Sequence, residues 1–213
     1  MDAGDTAPRV ARIRRVPRAR RWIVETEDGA EFSIPVKIAE AEAVTEGDPL
    51  SPRALRHADP AKEESAAHEA ALRLLEYRAR SRQEMARRLG MKGFTGATVD
   101  RVLARLERVD LLDDAAFARA WVADKSRSSP KGRAMLRYQL AGQGIAAETA
   151  DQALADIDEE ALALSLARRR ARSAPGDSYE RFAANVGPYL QRRGFPFAVA
   201  EAATRAAWKE RDT

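Results

Sequence analysis

The chain has 213 residues, 45% hydrophobic but only 6% aromatic, with 37 Lys and Arg against 33 Asp and Glu. It holds no cysteine, which excludes disulfides, thiolate metal sites and cysteine nucleophiles. Much of the hydrophobic fraction is alanine, which suits thin, closely packed helices better than a sheet-based core. No apolar run approaches the ~20 residues that span a bilayer, and no hydrophobic signal core follows the N-terminal arginines. A cytoplasmic protein without membrane contact is expected.

Residues 9–21 contain seven arginines and no acid. Arg12 and Arg14 alternate with Ala11 and Ile13, as an extended strand would have them, and Arg15 and Arg18 continue the cluster. Either a solvated strand face or a patch facing nucleic acid accounts for Arg12, Arg14, Arg15 and Arg18. Trp22–Thr26 and Phe32–Val36 read as two further strands. Asp28-Gly29 between them signals a two-residue type I′ hairpin, placing Ile23 opposite Ile34 and Glu25 opposite Phe32. Residues 37–60 carry turn signals, with a short helix over Ala54–His57, and Asp59-Pro60 marks a boundary.

After residue 62 the pattern becomes helical and repeats. Met85, Leu89, Gly93 and Phe94 recur 51 positions later as Leu136, Leu140, Gly144 and Ile145, and after a further 50 as Val186, Leu190, Gly194 and Phe195. Three sets in register indicate three tandem units of one supersecondary design. Each reads as three helices. In the first unit Ser81 and Glu84 form a capping box, and Thr95 or Thr98 starts the third helix. Val99, Val102, Leu103 and Leu106 give that helix an apolar stripe. In the second unit Asp113 or Asp114 caps a helix carrying Phe117 and Trp121, and Ser128-Ser129-Pro130 ends it. The third unit is the loosest copy, with alanines in core positions and Pro188 and Pro196 interrupting it. The expected fold is mainly α: three tandem three-helix repeats, elongated and curved, behind a small N-terminal β-rich domain. The expected divisions are 1–60, 61–110, 111–158 and 159–213.

Basic residues concentrate on the first two helices of each unit. Arg78, Arg80, Arg82, Arg87 and Arg88 do so in the first, and Lys125, Arg127, Lys131, Arg133 and Arg137 in the second. A charge run is usually a solvated face, but its recurrence in each unit lowers the odds that nothing binds there. Trp121, Tyr138 and Tyr189 have the spacing of core residues, although aromatics can also stack on bases. No catalytic, cofactor or metal motif is present. His57 and His68 lack ligand spacing, and the adjacent Asp113 and Asp114 do not face one another on a helix. A non-enzyme without cofactors is expected.

Several runs carry a family resemblance. These are Leu74-Leu75…Arg78-x-Arg80-Ser81-x-x-Glu84, then Leu111-Leu112-Asp113-Asp114-x-x-Phe117-Ala118, then Lys131-Gly132…Leu136-x-x-x-Leu140…Gly144-Ile145. Together they resemble the RecX family over roughly residues 9–208. Asp110 stands where that family usually has Gly, and Gln139 where it usually has Glu. The resemblance implies a negative regulator that docks in the groove of the RecA–DNA filament. It would reduce RecA's ATPase, strand exchange and coprotease activities, and the basic residues named above would be its contacts with RecA or DNA. Single- and double-stranded DNA are expected as sequence-nonspecific partners. No heptad demands a dimer, and a monomer is expected. Two other readings are a nonspecific DNA-binding helical-repeat protein that competes for the lattice, and a scaffold for an unrelated acidic partner.

Overall fold

The computed structural model describes residues 7–173 and 178–210. The ends of the expected divisions 1–60 and 159–213, and residues 174–177, lie outside them. The fold is mainly α, with eleven α-helices and one three-stranded antiparallel sheet among the described residues. The chain forms two compact units, residues 1–113 and 114–213.

In the first unit, β1 (Val10–Val16), β2 (Arg21–Thr26) and β3 (Glu31–Pro35) form the sheet in sequence order. The hairpin register differs by one residue from the type I′ expectation: Trp22 pairs with Ile34 and Ile23 with Ser33. The loop has three residues, Glu27–Gly29, closed by Thr26 N donating to the Ala30 carbonyl at 2.9 Å. A type I′ turn needs positive φ at both central residues, and here only Gly29 has it, at 82°. The Thr26 hydroxyl donates to Asp28 Oδ1 at 2.5 Å, which holds Asp28 in the loop. The one-residue slip puts Trp22, Val24, Phe32 and Ile34 on one face. There they pack with Val10, Leu50 and two helices that follow the sheet, α1 (Val36–Ala41) and α2 (Pro52–Arg56).

The other sheet face carries Arg14, Ile23 and Ser33 as cross-strand neighbours. It rests on the first three-helix group, α3 (Pro60–Tyr77), α4 (Arg82–Met91) and α5 (Gly96–Arg108). Ser33 Oγ donates to the Gly93 carbonyl at 2.6 Å, and Gly96 N donates to Glu31 Oε2 at 2.6 Å. Asp59-Pro60 is the start of α3: the Asp59 carboxylate accepts from Ala61 N and Lys62 N, and Pro60 takes the first helical position.

The second unit holds α6 (Asp114–Ser128), α7 (Arg133–Gly142) and α8 (Ala147–Leu154), then α9 (Glu159–Ala171), α10 (Tyr179–Arg192) and α11 (Phe197–Lys209). The repeat seen in the sequence is a repeat of one local structure. Met85, Leu136 and Val186 are fully buried, as are Leu89, Leu140 and Leu190 one turn later. Gly93, Gly144 and Gly194 then take φ of 81°, 81° and 87°. Each ends its helix in the same way. The glycine N–H returns to the carbonyl three residues back, and the next residue's N–H reaches Leu89, Leu140 or Leu190.

Pro188 does not interrupt the third copy, because α10 runs through it. Gly187 precedes it without a Cβ, which relieves the usual pre-proline clash, and the carbonyl left without a donor belongs to exposed Ala184. Nor is this copy's core thin. Ala200, Ala203 and Ala207 leave room that Phe182 and Trp208 fill, with ring centroids 5.2 Å apart.

Candidate functional site

The expected contact residues fall into three groups when their partners are traced. Arg80 departs from expectation. Only 6% exposed, its guanidinium donates to the Leu74 carbonyl at 3.1 Å and to Glu84 Oε1 at 2.6 Å. It fastens the α3–α4 turn and presents no surface. The spacing to Glu84, four residues on, brings the pair together along the helix start.

The second group is exposed or half-buried and engaged within the chain, by a carboxylate or, for Arg133, by a backbone carbonyl. Arg78 lies 2.7 Å and Arg88 3.7 Å from the same Glu84 oxygen. Arg82 pairs with Glu107 at 2.9 Å, Arg137 with Asp151 at 2.8 Å, and Lys125 sits 3.8 Å from Asp124. Arg133 donates to the Ile157 carbonyl at 2.9 Å, while its backbone N–H donates to Glu159 Oε1 at 2.7 Å. Glu84 is thus the hub of three cations. Burial pushes its carboxyl up, but the Arg78 hydrogen bond and charge, with Arg80's, outweigh that and hold it below the ordinary range.

The third group consists of Arg12, Arg14, Arg18, Arg87, Arg127 and Lys131, none with an acidic partner within 4.0 Å among the described residues. Arg15 lacks one too, its guanidinium 4.8 Å from the centroid of the Trp22 ring. Four of these arginines, distant in sequence, meet in the first unit. Arg14, Arg15 and Arg18 line one side of an open cleft of about 620 Å³, and Arg87 lines the other. Val16, Pro17 and Met91 supply its apolar surface. Pro17 begins a 3₁₀ turn, and Arg20 closes it with φ of 51°, so the turn that carries Arg18 is conformationally fixed. Arg127 and Lys131 lie in the second unit and contribute nothing to this cleft.

Of the aromatics, Trp121 packs on the α6–α8 core and Tyr189 on the α9–α11 core, as their spacing suggests. Tyr138 does not: it is 76% exposed. Sequence reasoning missed the setting of Tyr189, whose ring has Arg170 at 5.2 Å and Arg193 at 5.3 Å. Arg193 also donates to Ser129 Oγ at 3.1 Å, so this cluster fastens the end of α10 to the α6–α7 turn. Among the described residues no group of three His, Asp or Glu side chains is placed to hold a metal ion. No helix among them is long and apolar enough to cross a membrane.

Comparison with known proteins bears on this arrangement directly. The family model described as "RecX, first three-helix domain" matches residues 67–106, and that described as "RecX, second three-helix domain" matches 113–154. The regulatory protein RecX of Geobacillus kaustophilus is 31% identical over 204 residues, covering 91% of this chain and 76% of that protein. The chain belongs to the RecX family. The regulatory protein RecX of Chlorobium phaeobacteroides is 36% identical over 130 residues, 61% of this chain and 85% of that one. A crystal structure of regulatory protein RecX superposes with a TM-score of 0.64 over 92% of this chain at 21% identity, a likeness of fold. The RecX-matched segments contain the Glu84 hub, Arg87 and Lys131, whereas the arginines of β1 lie before the first of them.

Proposed function

We propose that this RecX-family chain is a negative regulator of the RecA recombinase. It binds in the groove of the RecA–DNA filament and lowers ATP hydrolysis, strand exchange and coprotease activity. It acts as a monomer in the cytoplasm, without catalysing a reaction of its own. The four divisions 1–60, 61–110, 111–158 and 159–213 serve as its working segments. One molecule spans neighbouring RecA subunits and hinders the rearrangement of their interface.

The observation that supports this most is the recurrence of exposed or half-exposed cations without acidic partners, Arg87 beside the first helical turn system and Arg127 and Lys131 beside the second. A guanidinium or ammonium already paired or hydrogen-bonded within its own chain gains less from a new anion. One without such a partner gains a charge-assisted contact at low desolvation cost. Arg87, Arg127 and Lys131 therefore take the leading place among the contact residues. Arg78, Arg82, Arg88, Lys125, Arg133 and Arg137 are secondary, and buried Arg80 is structural.

Co-sedimentation with preformed RecA filaments tests the assignment. Reversing charge at Arg87, Arg127 and Lys131 together should release the protein into the supernatant, while Arg80→Lys should act only through stability. Unchanged co-sedimentation of the triple variant would overturn the assignment. Lattice competition is the rival reading. It requires filament inhibition to fade in step with binding to bare DNA as salt rises.

A further inference from the structure

The outer face of α10 and α11 is apolar without serving the core. A groove of about 380 Å³ runs between the two helices, lined by Ala183, Gly187 and Ala200 and bounded by Tyr179 and Phe197. The helices are antiparallel, because Tyr179 at the start of α10 meets Trp208 near the end of α11, with ring centroids 6.1 Å apart. Tyr179 and Phe197 therefore stand at opposite ends of the groove. Phe197 is 69% exposed, while Phe182 and Phe195 already fill the core of this group. The repeat does not call for an aromatic there: the first residues of α5 and α8 in the same register are Gly96 and Ala147. A Cβ on Gly187 would meet nothing within 4 Å, so the middle of the groove is open. A protruding ring and an open hollow on one face carry an unfavourable apolar exposure that a fitted partner removes.

We propose that this groove is the contact face of a symmetric homodimer, with a second copy of the chain as its occupant. A two-fold axis through the middle of the groove lays Phe197 of each copy over Ala183 of the other, beside its Tyr179. One contact is then made twice and the assembly closes. Three observations favour a second copy over a helix of another protein. Phe197 stands at the end of the groove, where an inserted foreign helix leaves it in water and a rotated copy covers it. Charge on the rim is self-complementary: Glu180 is exposed in the first turn of α10 and Arg192 in its last, and the rotation brings the one beside the other twice. Arg192 has no carboxylate within 4.0 Å among the described residues, whereas Glu201 in the groove is already paired with Arg205 at 2.6 Å. The size also fits. α10 has 14 residues, and two helices side by side are ~20 Å wide, so two copies bury on the order of 1,000 Å² in total. That is the low end for a specific interface, suited to a dimer that forms at micromolar concentration and yields to a stronger partner. The dimer is thus the form free in solution, and the filament-bound form stays the monomer of the reading above.

Sedimentation equilibrium of the full chain, with neither recombinase nor DNA, tests this independently of the filament reading. The average mass should climb from that of one chain toward that of two between about 2 and 200 µM, the span in which an interface of this size dissociates. Phe197→Glu should weaken association by about tenfold or more, as loss of the central anchor does. An acid in the first turn of α11 suits the helix dipole, so the fold tolerates that change. Tyr138→Glu, at a similarly exposed aromatic on α7, should alter association no more than about twofold. A second measurement reads the geometry. The chain has no cysteine, so Ala184→Cys, exposed in the groove, should join two copies through a short bismaleimide, and Tyr138→Cys should not. A single-chain mass at every concentration, a Phe197→Glu variant that associates like the unaltered chain, or equal crosslinking of both cysteine variants would each overturn the proposal. The first outcome would leave the groove to a helix of another protein.

Discussion

Arg80 Nη1 and Glu84 Oε1 lie 2.6 Å apart with both side chains 94% buried, joining the end of the α3–α4 turn to the first turn of α4. Ser81 between them caps α4, its Oγ accepting from Glu84 N at 3.1 Å. The expected capping box is thus bent to a second use, because the carboxylate that could have served the cap also gathers Arg78, Arg80 and Arg88. Removing one member of a buried pair leaves the other charge without compensation. Glu84→Ala should therefore cost about 3 kcal/mol or more in chemical denaturation, and Arg80→Ala a similar amount. A loss under 1 kcal/mol for both would contradict the pairing.

The same hub gives a pH dependence. The Glu84 carboxyl is held below its ordinary value of 4.5 in the folded chain, so its stabilisation is complete above that value. It is lost as pH falls through the lower, folded value. The difference in urea midpoint between the unaltered protein and Glu84→Gln should be wide at pH 7 and narrow steadily below about pH 4.5. A difference that stays constant down to pH 3 would show that the carboxylate charge contributes nothing.

The glycine sockets make a sharper contrast. A Cβ on Gly194 would stand 2.6 Å from Met135 Cβ, at a backbone φ of 87° that disfavours side chains. A Cβ on Gly132 would overlap the Gly194 carbonyl, whose neighbour Arg193 receives the Gly132 N–H at 3.0 Å. Gly194→Ala and Gly132→Ala should each destabilise the second unit by about 2 kcal/mol or more, from strain and forced separation of the α7 start from the α10 end. Gly142→Ala meets nothing within 4 Å at the end of α7 and should be neutral or stabilising by about 0.5 kcal/mol. Thermal unfolding of the three variants side by side checks the order.

Asp110 ends α5 with φ of 56°, its N–H returning to the Glu107 carbonyl at 3.1 Å while Leu111 N reaches Leu106 at 3.0 Å. This is the glycine ending of the other helices built with a residue that adopts the left-handed region at a cost. Asp110→Gly should raise stability by about 0.5–1 kcal/mol, some 1–4 °C in Tm, and Asp110→Val should lower it. A lower Tm for the glycine variant would mean that the carboxylate makes a compensating contact.

What the sequence revealed and what it hid have separate physical causes. The helices were legible because Met85, Leu89 and Gly93 and their copies obey one short-range pattern, apolar faces ended by a left-handed glycine. The hairpin slipped by one because Asp28-Gly29 is the usual two-residue signal, while the Thr26 hydroxyl bonds that decide the loop lie outside the dipeptide. α1 was missed because Val36–Ala41 is too short to show a helical period. Arg80 counted as one more surface cation, since charge is readable from a sequence and burial is not. Its i, i+4 relation to Glu84 was the available signal. The cleft was out of reach for a different reason: Arg14 and Arg87 are brought together by the docking of the sheet on the helices, through contacts such as Ser33 on Gly93, 60 residues apart.

The central claim is recognition of the RecA filament itself. It is tested most directly by DNA-dependent ATP hydrolysis of the cognate RecA on preformed filaments, titrated with this protein at two salt concentrations. Inhibition is expected at well under one molecule per RecA subunit, persisting at salt that abolishes binding to bare DNA. Inhibition only at amounts that saturate the DNA, disappearing together with DNA binding as salt rises, would contradict it and leave lattice competition as the mechanism.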